Sequence, residues 1–393
     1  MRSSGEVLLL DNGDLNRGYG RQAELKYETA MKAMAEMGYL AANVGEQDLL
    51  IGHDYLKYVS DFTGIPLLSA NIANIRGESV FQQSVVRKTG PSEKAVAVAV
   101  TGVISTEFKG AIEETNPELV VEDYGPVLEK LIPALRKKTD LLVLLGHMPE
   151  EEARAVAERF SSIDLIIASH SGDDPNPAPI SVGDTSIVFA GAKGMHIGVC
   201  RFMTRAGGAK LESYSVKKLD KTVSDSARIL AAIDDYQQMV KAENLLGSFP
   251  RTEHPAGEFT GNEKCRKCHS WSSFRFRRKD KHAHAFEPIA KKGREYDPEC
   301  VECHVVGFGY TTGFATADAT PMLENVGCEN CHGPGSKHVE EPLKDKYGEV
   351  KREKCETCHN PENSPKFVYE ERIKKIRHNS FFLCSARICH WLE

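Results

Sequence analysis

Four copies of a C-x-x-C-H motif contain the residues of this chain that are best placed to do chemistry. They are Cys265-Arg-Lys-Cys268-His269, Cys300-Val-Glu-Cys303-His304, Cys328-Glu-Asn-Cys331-His332 and Cys355-Glu-Thr-Cys358-His359. Two thiols at this spacing can add across the vinyl groups of a haem, and the adjacent imidazole then lies beneath the iron as its axial ligand. The spacing therefore predicts four covalently attached c-type haems, each with its own proximal histidine.

Zinc binding and disulfide formation are the alternatives for these paired cysteines. Zinc sites usually take their second ligand pair from further along the chain, so the histidine at the same adjacent position in all four motifs would be unexplained. Disulfides among the eight cysteines would leave the same histidines as a coincidence. Both alternatives account for less of the pattern than haem attachment does.

Cysteine and histidine are concentrated toward the C-terminus, which indicates two modules. Ten of the 11 cysteines and ten of the 14 histidines lie from His254 onward. The chain has 393 residues, of which 41% are apolar, so at least one module can bury an ordinary core. The net charge of -6 excludes a nucleic-acid binder that relies on bulk positive charge.

The haem motifs also bear on location. Covalent haem attachment takes place on the outer side of the cytoplasmic membrane, so we expect a periplasmic or extracellular protein. The first residues lack a charged start followed by an apolar segment, and no apolar run reaches the roughly eighteen residues of a membrane span. We therefore expect that a signal peptide was removed or that the start of the gene is missing, and that no segment crosses a membrane.

The first module alternates predicted strands and helices, which is typical of an α/β layered sandwich. Short apolar runs predict strands at 7–10, 67–70, 95–104, 141–145, 165–168, 187–190 and 197–202. Apolar residues at helical spacing predict helices at 22–37, 127–138 and 150–160, the first of them ended by Gly38. We assign this domain to residues 1–220.

Polar loops follow several of these strands: Asn12-Gly-Asp14, Gly45-Glu-Gln-Asp48, Gly146-His147 and Ser169-His170-Ser-Gly172. Their order resembles that of the calcineurin-like metallophosphoesterases, and Leu68-Ser-Ala-Asn71 resembles the 5′-nucleotidase branch of that family. The resemblance covers roughly residues 5–216. It implies a fold whose loops bind two metal ions that polarise a phosphoester and activate a water molecule.

Departures from the family pattern argue against hydrolysis. Glu46 and Gln47 stand where the family has asparagine and histidine, and a glutamine cannot protonate a leaving alkoxide. Gly172 replaces the second histidine of Gly-His-x-His. The family's first block, Asp-x-His on an earlier strand, is absent, as if this chain began one strand late.

Three ligands of the family pattern remain, namely Asp14, His147 and His170. They are of the right types to hold one divalent metal, with Glu46 or Asp48 as further candidates. The alternative is an inactive scaffold in which the polar loop ends satisfy each other by hydrogen bonds.

Residues 221–260 are predicted to form a helix and a linker, and residues 261–393 a mostly irregular and α-helical multihaem cytochrome c domain. Periodic apolar segments are sparse there, so the haems would supply the core that side chains do not. Six histidines in and near this domain lie outside the motifs, which exceeds the four that bis-histidine ligation requires. An iron with two histidine ligands is closed to substrate and usually serves electron transfer.

Several stretches resemble the cytochrome c-554 family of tetrahaem cytochromes. They are Trp271, Lys281-His282-Ala-His284-Ala-Phe286, Asn325-Val-Gly-Cys328 onward to Gly-Pro-Gly-Ser-Lys-His338, and Cys358-His359-Asn-Pro followed by Ile376-Arg-His378. The resemblance implies that the distal ligands include His282, or its neighbour His284, and His338. His378 is the next candidate, while His254 and His390 are the weakest.

The end of the chain departs from the pattern. Cys384 and Cys389 precede His390 with four residues between the cysteines instead of two. A fifth haem there would require the loop to bulge. A free or disulfide-linked pair is the alternative.

Together these patterns predict an extracytoplasmic multihaem c-type cytochrome that carries electrons, fused to an inactive metallophosphoesterase-like domain. The expected partners are redox proteins or an extracellular electron acceptor, with a homo-oligomer or haem-bearing polymer as a further possibility and no nucleic acid. Two enzyme functions stay open. One is a metal-dependent phosphoesterase or nucleotidase with an attached cytochrome, and the other is a multihaem redox enzyme acting on a small nitrogen or sulfur compound.

Overall fold

The computed structural model of the chain describes residues 6–90, 95–205, 208–344 and 347–378. The chain forms two compact units, Met1–Ile233 and Asp234–Glu393. Their division lies inside the predicted helix-and-linker segment 221–260. The unusual cysteine pair Cys384 and Cys389, with His390, lies outside the described residues. Among the described helices, none has both the length and the apolar composition that crossing a membrane requires.

The first unit is built on a three-stranded and a six-stranded sheet. The strands, numbered in chain order, are β1 Leu9–Asp11, β2 Tyr39–Asn43, β3 Leu67–Leu68, β4 Ile72–Asn74, β5 Ser84–Thr89, β6 Val96–Ile104, β7 Leu119–Val121, β8 Leu141–His147, β9 Leu165–Ala168, β10 Ile180–Val182, β11 Thr185–Val188, β12 His196–Arg205 and β13 Gly208–Lys218. Strands β1, β2 and β3 are parallel, and the larger sheet has the order β10-β11-β9-β8-β6-β5 with β6, β8, β9 and β11 parallel. Strands β4 and β7, and likewise β12 and β13, pair in antiparallel fashion.

Helices of the first unit are α1 Arg21–Met37, α2 His53–Thr63, α3 Lys109–Thr115, α4 Tyr124–Arg136 and α5 Glu150–Arg159. Helix α1 ends as its sequence predicts, because Gly38 adopts φ 79° and its amide bonds to the carbonyls of Ala35 and Met34. Glycine adopts this left-handed conformation without the steric cost that a β-carbon brings.

Buried apolar side chains form layers on both sides of the sheets. Ala41 and Leu68 of the smaller sheet pack with Val98 and Val143 of the larger sheet. On the outer faces, α1 and α2 pack on the smaller sheet, and α4 and α5 pack on the larger one. Strand β6 is buried along nearly its whole length because it lies in the middle of these layers. The predicted α/β layered sandwich is confirmed.

The second unit consists of short helices joined by irregular segments, as predicted. After α6 Ala227–Ala242, which spans the division between the units, its helices are α7 Asn262–Arg266, α8 Ser270–Lys279, α9 Glu287–Ala290, α10 Pro298–Val301, α11 Cys328–His332, α12 Ser336–Glu340, α13 Arg352–Glu356 and α14 Tyr369–Ile376. The apolar cluster of this unit contains eight buried side chains, among them Phe286 and Phe314. So small a cluster is a weak core for a segment of this length.

Candidate functional site

Four side chains of metal-binding types converge at the carboxyl ends of parallel strands in the first unit. Asp14 follows β1, Glu46 follows β2, His147 ends β8 and His170 follows β9. One ligand atom from each residue lies within 4.8 Å of the ligand atoms of the other three. The fold thus brings together the three ligands predicted from the sequence and adds Glu46, not Asp48, as the fourth.

The contacts of Asp14 within this cluster have the spacing of donors around a single tetrahedral ion, whereas the two contacts of 2.8 Å are hydrogen-bond distances that would widen around an ion. Nε2 of His147 lies 2.8 Å from Nε2 of His170 and 2.8 Å from Oε2 of Glu46. Oδ2 of Asp14 lies 3.5 Å from Nε2 of His147 and 3.6 Å from Nε2 of His170. Donors around a tetrahedral ion with bonds of about 2.0–2.2 Å lie roughly 3.3–3.6 Å apart. Two imidazoles and two carboxylates form a donor set that suits zinc and related divalent ions.

Hydrogen bonds outside the cluster fix the orientation of its ligands. Nδ1 of His147 donates to the carbonyl of Asn12 at 2.6 Å, which leaves Nε2 to coordinate. Asp14 accepts a hydrogen bond on Oδ1 from the amide of Gln47 at 3.0 Å, while its Oδ2 belongs to the cluster. His147 is 1% exposed and His170 is 32% exposed, so solvent can reach the cluster from the side of His170.

The carboxylates control the charge state of the cluster. Burial by itself lowers the pKa of His147, but the hydrogen bonds with Asp14 and Glu46 outweigh it and raise this pKa to about 10. Hydrogen bonds with the same two carboxylates raise the pKa of His170 to about 9. Burial opposes the ionisation of Asp14 and Glu46, yet their contacts with the imidazoles hold both pKa values below the usual range. A cation at this point therefore competes with bound protons.

Asp48 supports the loops that carry the ligands. Its carboxylate accepts hydrogen bonds from the backbone amides of Asp14 at 2.8 Å, Gly45 at 3.0 Å and Asn16 at 3.0 Å. Burial raises its pKa to about 7. Gly45 is required here for space, because a β-carbon on it would lie 2.1 Å from Oδ1 of Asp14 and 2.7 Å from Cε1 of His147.

The two departures from the family pattern have clear local effects. The side-chain amide of Gln47 donates to Oε1 of Glu46 at 3.3 Å, so it supports a ligand and supplies no titratable proton. Gly172 has φ 110° and offers no side chain as a further ligand. Phe108 was not predicted from the sequence, yet its ring lies 4.7 Å from that of His170 and 5.8 Å from that of His147. No motif marks it, because the 3₁₀ turn Thr106–Phe108 after β6 brings it to the cluster.

In the second unit, each C-x-x-C-H motif begins within a short helix. Helices α7, α10, α11 and α13 carry the first cysteines, which are Cys265, Cys300, Cys328 and Cys355. Helix α11 contains both cysteines of the third motif, and in the first and fourth motifs the amide of the second cysteine donates to the carbonyl of the first at 3.3 Å. Residues three apart in a helical turn lie on the same side, so these turns favour attachment of both thiols to one macrocycle.

Within the described part of this unit, three pairs of histidines lie opposite each other. Their ring centroids are separated by 6.2 Å, 5.9 Å and 6.0 Å in the pairs His269–His338, His359–His282 and His332–His378. Imidazoles on opposite faces of one iron have centroids roughly 6 Å apart, since each metal–nitrogen bond is about 2 Å long and each centroid lies about 1 Å further out. Each pair joins a motif histidine to a predicted distal candidate. The residues present thus fit bis-histidine ligation of three haem irons.

His304 and His284 are placed differently from these pairs. Nδ1 of His304 donates to the carbonyl of Ala285, and among the rings that the structure describes no other histidine lies opposite it. Nε2 of His284 lies 2.9 Å from the carbonyl of Arg277. Of the two neighbouring candidates, His282 is therefore the one that meets a motif histidine.

Several thiols of different motifs lie near one another. Cys265 is close to Cys328, Cys303 is close to Cys358, and Cys331 is close to Cys355 and Cys358. The third motif is thus adjacent to the first and the fourth, and the second motif to the fourth. A cavity of about 800 Å³ adjoins the third motif, and its lining includes Cys331, His332 and Tyr347 together with three lysines and two glutamates. Its size suits a large cofactor.

The fold of the first unit is metallophosphoesterase-like, and the C-x-x-C-H motifs of the second unit are similar to those of c-type cytochromes. The sequence model of the family "Cytochrome c554 and c-prime" matches residues 264–333. The cytochrome c-554 of Nitrosomonas europaea is 38% identical over a region that covers 20% of this chain and 39% of that protein. The resemblance predicted for the C-terminal module is confirmed.

The N-terminal region of the chain is similar to nucleotidases. The 5′-nucleotidase of Vibrio vulnificus is 26% identical over 66% of this chain and 52% of that protein. This chain spans about half the length of that relative, and less of the cytochrome. The calcineurin-like phosphoesterase YfkN of Bacillus subtilis superposes with a TM-score of 0.51 at 19% identity, covering 61% of this chain and 85% of that one. SoxB of Thermus thermophilus superposes with a TM-score of 0.53 at 22% identity, covering 61% and 44%. These structures share the fold of the first unit.

Proposed function

We propose that the second unit is a tetrahaem electron-transfer module that works outside the cytoplasm, and that the first unit holds one divalent metal without efficient phosphoester hydrolysis. The observation that carries the first part is the set of histidine pairs His269–His338, His359–His282 and His332–His378 at 5.9–6.2 Å. Sequence spacing alone predicts a tethered histidine for each haem. A second histidine at the matching distance supports closed, electron-transferring irons.

Each haem is assigned its own residues. The eight cysteines of the four motifs form the thioether links, and His269, His304, His332 and His359 are the proximal ligands. His338, His378 and His282 are the distal ligands of the first, third and fourth motifs. The haems supply one-electron chemistry when bound, and the chain orients them and closes their irons.

The arrangement of the motifs supports transfer from haem to haem. Because Cys265 lies near Cys328, Cys303 near Cys358, and Cys331 near Cys355, macrocycles attached at these motifs would lie close to one another. We infer partners that donate and accept single electrons, either redox proteins or an extracellular acceptor. A homo-oligomer or polymer would extend the same path.

In the first unit, Asp14, Glu46, His147 and His170 would hold the metal ion. Two carboxylates balance the charge of a divalent ion, and four protein ligands are typical of structural zinc sites, whereas catalytic sites keep one position open. Gln47 cannot donate a proton to a leaving group, and Gly172 cannot support a second metal ion. Both features favour a site without hydrolytic activity.

One set of measurements tests the electron-transfer proposal. A pyridine haemochrome assay with intact mass on the secreted, mature protein should count four haems, and electron paramagnetic resonance should show mostly low-spin ferric iron. A colourless protein, or one with zinc at the paired thiols, would overturn it. Omission of the haem-attachment machinery from the expression host is the matched control.

Metal-dependent phosphoester or nucleotide hydrolysis is the second candidate function. It is favoured by the convergence of four ligands at a place that solvent reaches beside His170. A phosphatase assay on metal-loaded protein, with the Asp14→Asn variant as the control, separates it from the first. Turnover that depends on both the metal and Asp14 would establish hydrolysis.

A multihaem redox enzyme for a small nitrogen or sulfur compound is favoured by one observation, the position of His304. Its ring has no histidine opposite it in the described part of the chain. An open iron there would give a high-spin ferric signal that changes when such a compound is added. Wholly low-spin haem would count against it.

A further inference from the structure

Asp280 makes two contacts with one of the histidines assigned as an iron ligand. Its Oδ1 lies 3.0 Å from Nδ1 of His282 and accepts a hydrogen bond from the backbone amide of the same residue, also at 3.0 Å. Asp280 itself is held by the end of α8, because its amide donates to the carbonyl of Phe276 at 3.0 Å. One carboxylate oxygen thus fixes both the backbone and the ring of His282.

These contacts determine which nitrogen of His282 is available. With its hydrogen on Nδ1 directed at the carboxylate, the ring keeps the lone pair of Nε2 for coordination. The carbonyl of His282 accepts a hydrogen bond from the amide of Val326 at 3.1 Å, which ties this turn to the segment before the third motif. The ring of His359 lies opposite at 5.9 Å.

Asp280 differs in charge from the groups that contact Nδ1 of two other assigned ligands, His332 and His359. Nδ1 of His332 lies 2.9 Å from the carbonyl of Gly348, and Nδ1 of His359 lies 3.0 Å from the hydroxyl of Ser364. These acceptors are neutral. Asp280 carries a negative charge, and its side chain is 16% exposed, so solvent screens it less than it screens a surface carboxylate.

We propose that Asp280 is a positioning residue that lowers the reduction potential of the iron held between His359 and His282. The inference rests on the proposed haem-binding function. Ferric haem carries one more positive charge than ferrous haem, so a nearby fixed anion favours the oxidised state. A carboxylate on Nδ1 also makes the imidazole a stronger donor to the iron, which acts in the same direction.

The Asp280→Asn variant isolates the charge, because an asparagine oxygen can still accept both hydrogen bonds. We expect one of the four midpoint potentials in a spectroelectrochemical titration of the holoprotein to move to a more positive value. One low-spin signal in the electron paramagnetic resonance spectrum should change its g-values at the same time. Asp280→Glu, which keeps the charge, should return the potential toward that of the unaltered protein.

The control is Glu287→Gln. Glu287 is an exposed carboxylate paired with Lys291 five residues beyond His282, so its removal changes the net charge equally without touching an assigned ligand. We expect no midpoint potential to move in this variant. An equal shift in both variants would mean a general charge effect and would overturn the inference.

Haem content separates this inference from the proposed function. If Asp280→Asn retains four haems and all four potentials are unchanged, the role of Asp280 is overturned while electron transfer stands. If the unaltered protein contains no haem, both fail. If the variant loses haem, Asp280→Glu provides the test, and loss of haem there as well would mean a role in folding and would overturn the inference.

Discussion

Nε2 of His147 lies 2.8 Å from Nε2 of His170 in the first unit, a separation at which a single hydrogen atom fits between the two nitrogens. Oε2 of Glu46 lies 2.8 Å from Nε2 of His147 and 3.5 Å from Nε2 of His170. One cation can replace the shared proton and contact all of these donors at once.

Metal binding at this cluster should release protons. Because the pKa values are raised from 6.5 to about 10 at His147 and about 9 at His170, the metal-free pair is protonated at neutral pH. We expect the Kd for Zn²⁺ to fall as pH rises through this window, by about tenfold per pH unit for each proton released. Titration calorimetry in two buffers of different ionisation enthalpy measures the protons. An affinity independent of both pH and buffer would contradict the assignment.

The same pKa values predict how the stability of the metal-free protein depends on pH. A histidine whose pKa is raised by folding stabilises the folded state fully below its unfolded pKa of 6.5, and this contribution is lost as pH rises through about 9 and about 10. We expect the free energy of unfolding of the metal-free protein to decrease over this range. Added Zn²⁺ should reverse the decrease, because the ion replaces the protons. Chemical denaturation with and without a chelator checks this.

Glu46 should contribute directly to metal affinity. In Glu46→Gln the cluster loses one of its two negative charges, and we expect metal affinity to fall by at least about tenfold. Glu129→Gln is the matched control, because Glu129 forms an exposed ion pair with Arg159. Metal content after dialysis against a competing chelator gives the comparison. Equal metal content in the two variants would show that Glu46 is not a ligand.

Distal histidines can be tested one at a time. We expect His282→Ala, His338→Ala and His378→Ala each to convert one low-spin haem to a high-spin form, because each removes the ring opposite a motif histidine. His284→Ala is the control, since His284 contacts the carbonyl of Arg277 instead. Absorption and electron paramagnetic resonance spectra provide the measurement. High-spin iron in His284→Ala but not in His282→Ala would reverse the assignment of these neighbours.

Gly45 should tolerate no side chain. A β-carbon there would lie 2.1 Å from Oδ1 of Asp14, so Gly45→Ala must displace a metal ligand, and we expect a loss of about 1–3 kcal/mol in stability together with loss of the metal. The control is Gly110→Ala in α3, where the new β-carbon would meet nothing within 4 Å. That change should be neutral or stabilise by up to about 1 kcal/mol, because alanine favours the helix. Thermal unfolding of both variants tests the contrast.

The strands and helices that were predicted have strong local patterns. The strand predicted at 165–168 matches β9 Leu165–Ala168, and the helix predicted at 22–37 differs from α1 by one residue. Six strands were not predicted, namely β2, β4, β5, β7, β10 and β13, and two of them show opposite reasons. β2 Tyr39–Asn43 is too short to show alternation, and β13 Gly208–Lys218 is a polar strand whose pairing with β12 outweighs its weak sequence pattern.

The ligand types could be predicted from motifs, but their pairing could not. Asp14, His147 and His170 were identified from the resemblance of their loops to the metallophosphoesterase pattern, whereas the choice of Glu46 over Asp48 depends on which carboxylate the backbone amides bind. In the second unit, counting histidines and the resemblance to the cytochrome c-554 family supplied candidates for the distal ligands. Only the fold of the irregular segments brings His378 to His332 and His282 to His359.

The eight-residue apolar cluster of the second unit has a consequence for the biogenesis of the protein. In the part of this unit that the structure describes, a cluster of this size cannot offset the conformational entropy of ordering the chain. The nascent polypeptide should therefore remain open and sensitive to proteases in this region until its cofactors are attached, whereas the sheets of the first unit can collapse independently. When iron is scarce and haem is limiting, we therefore expect proteases to degrade the polypeptide faster, beginning in its second unit.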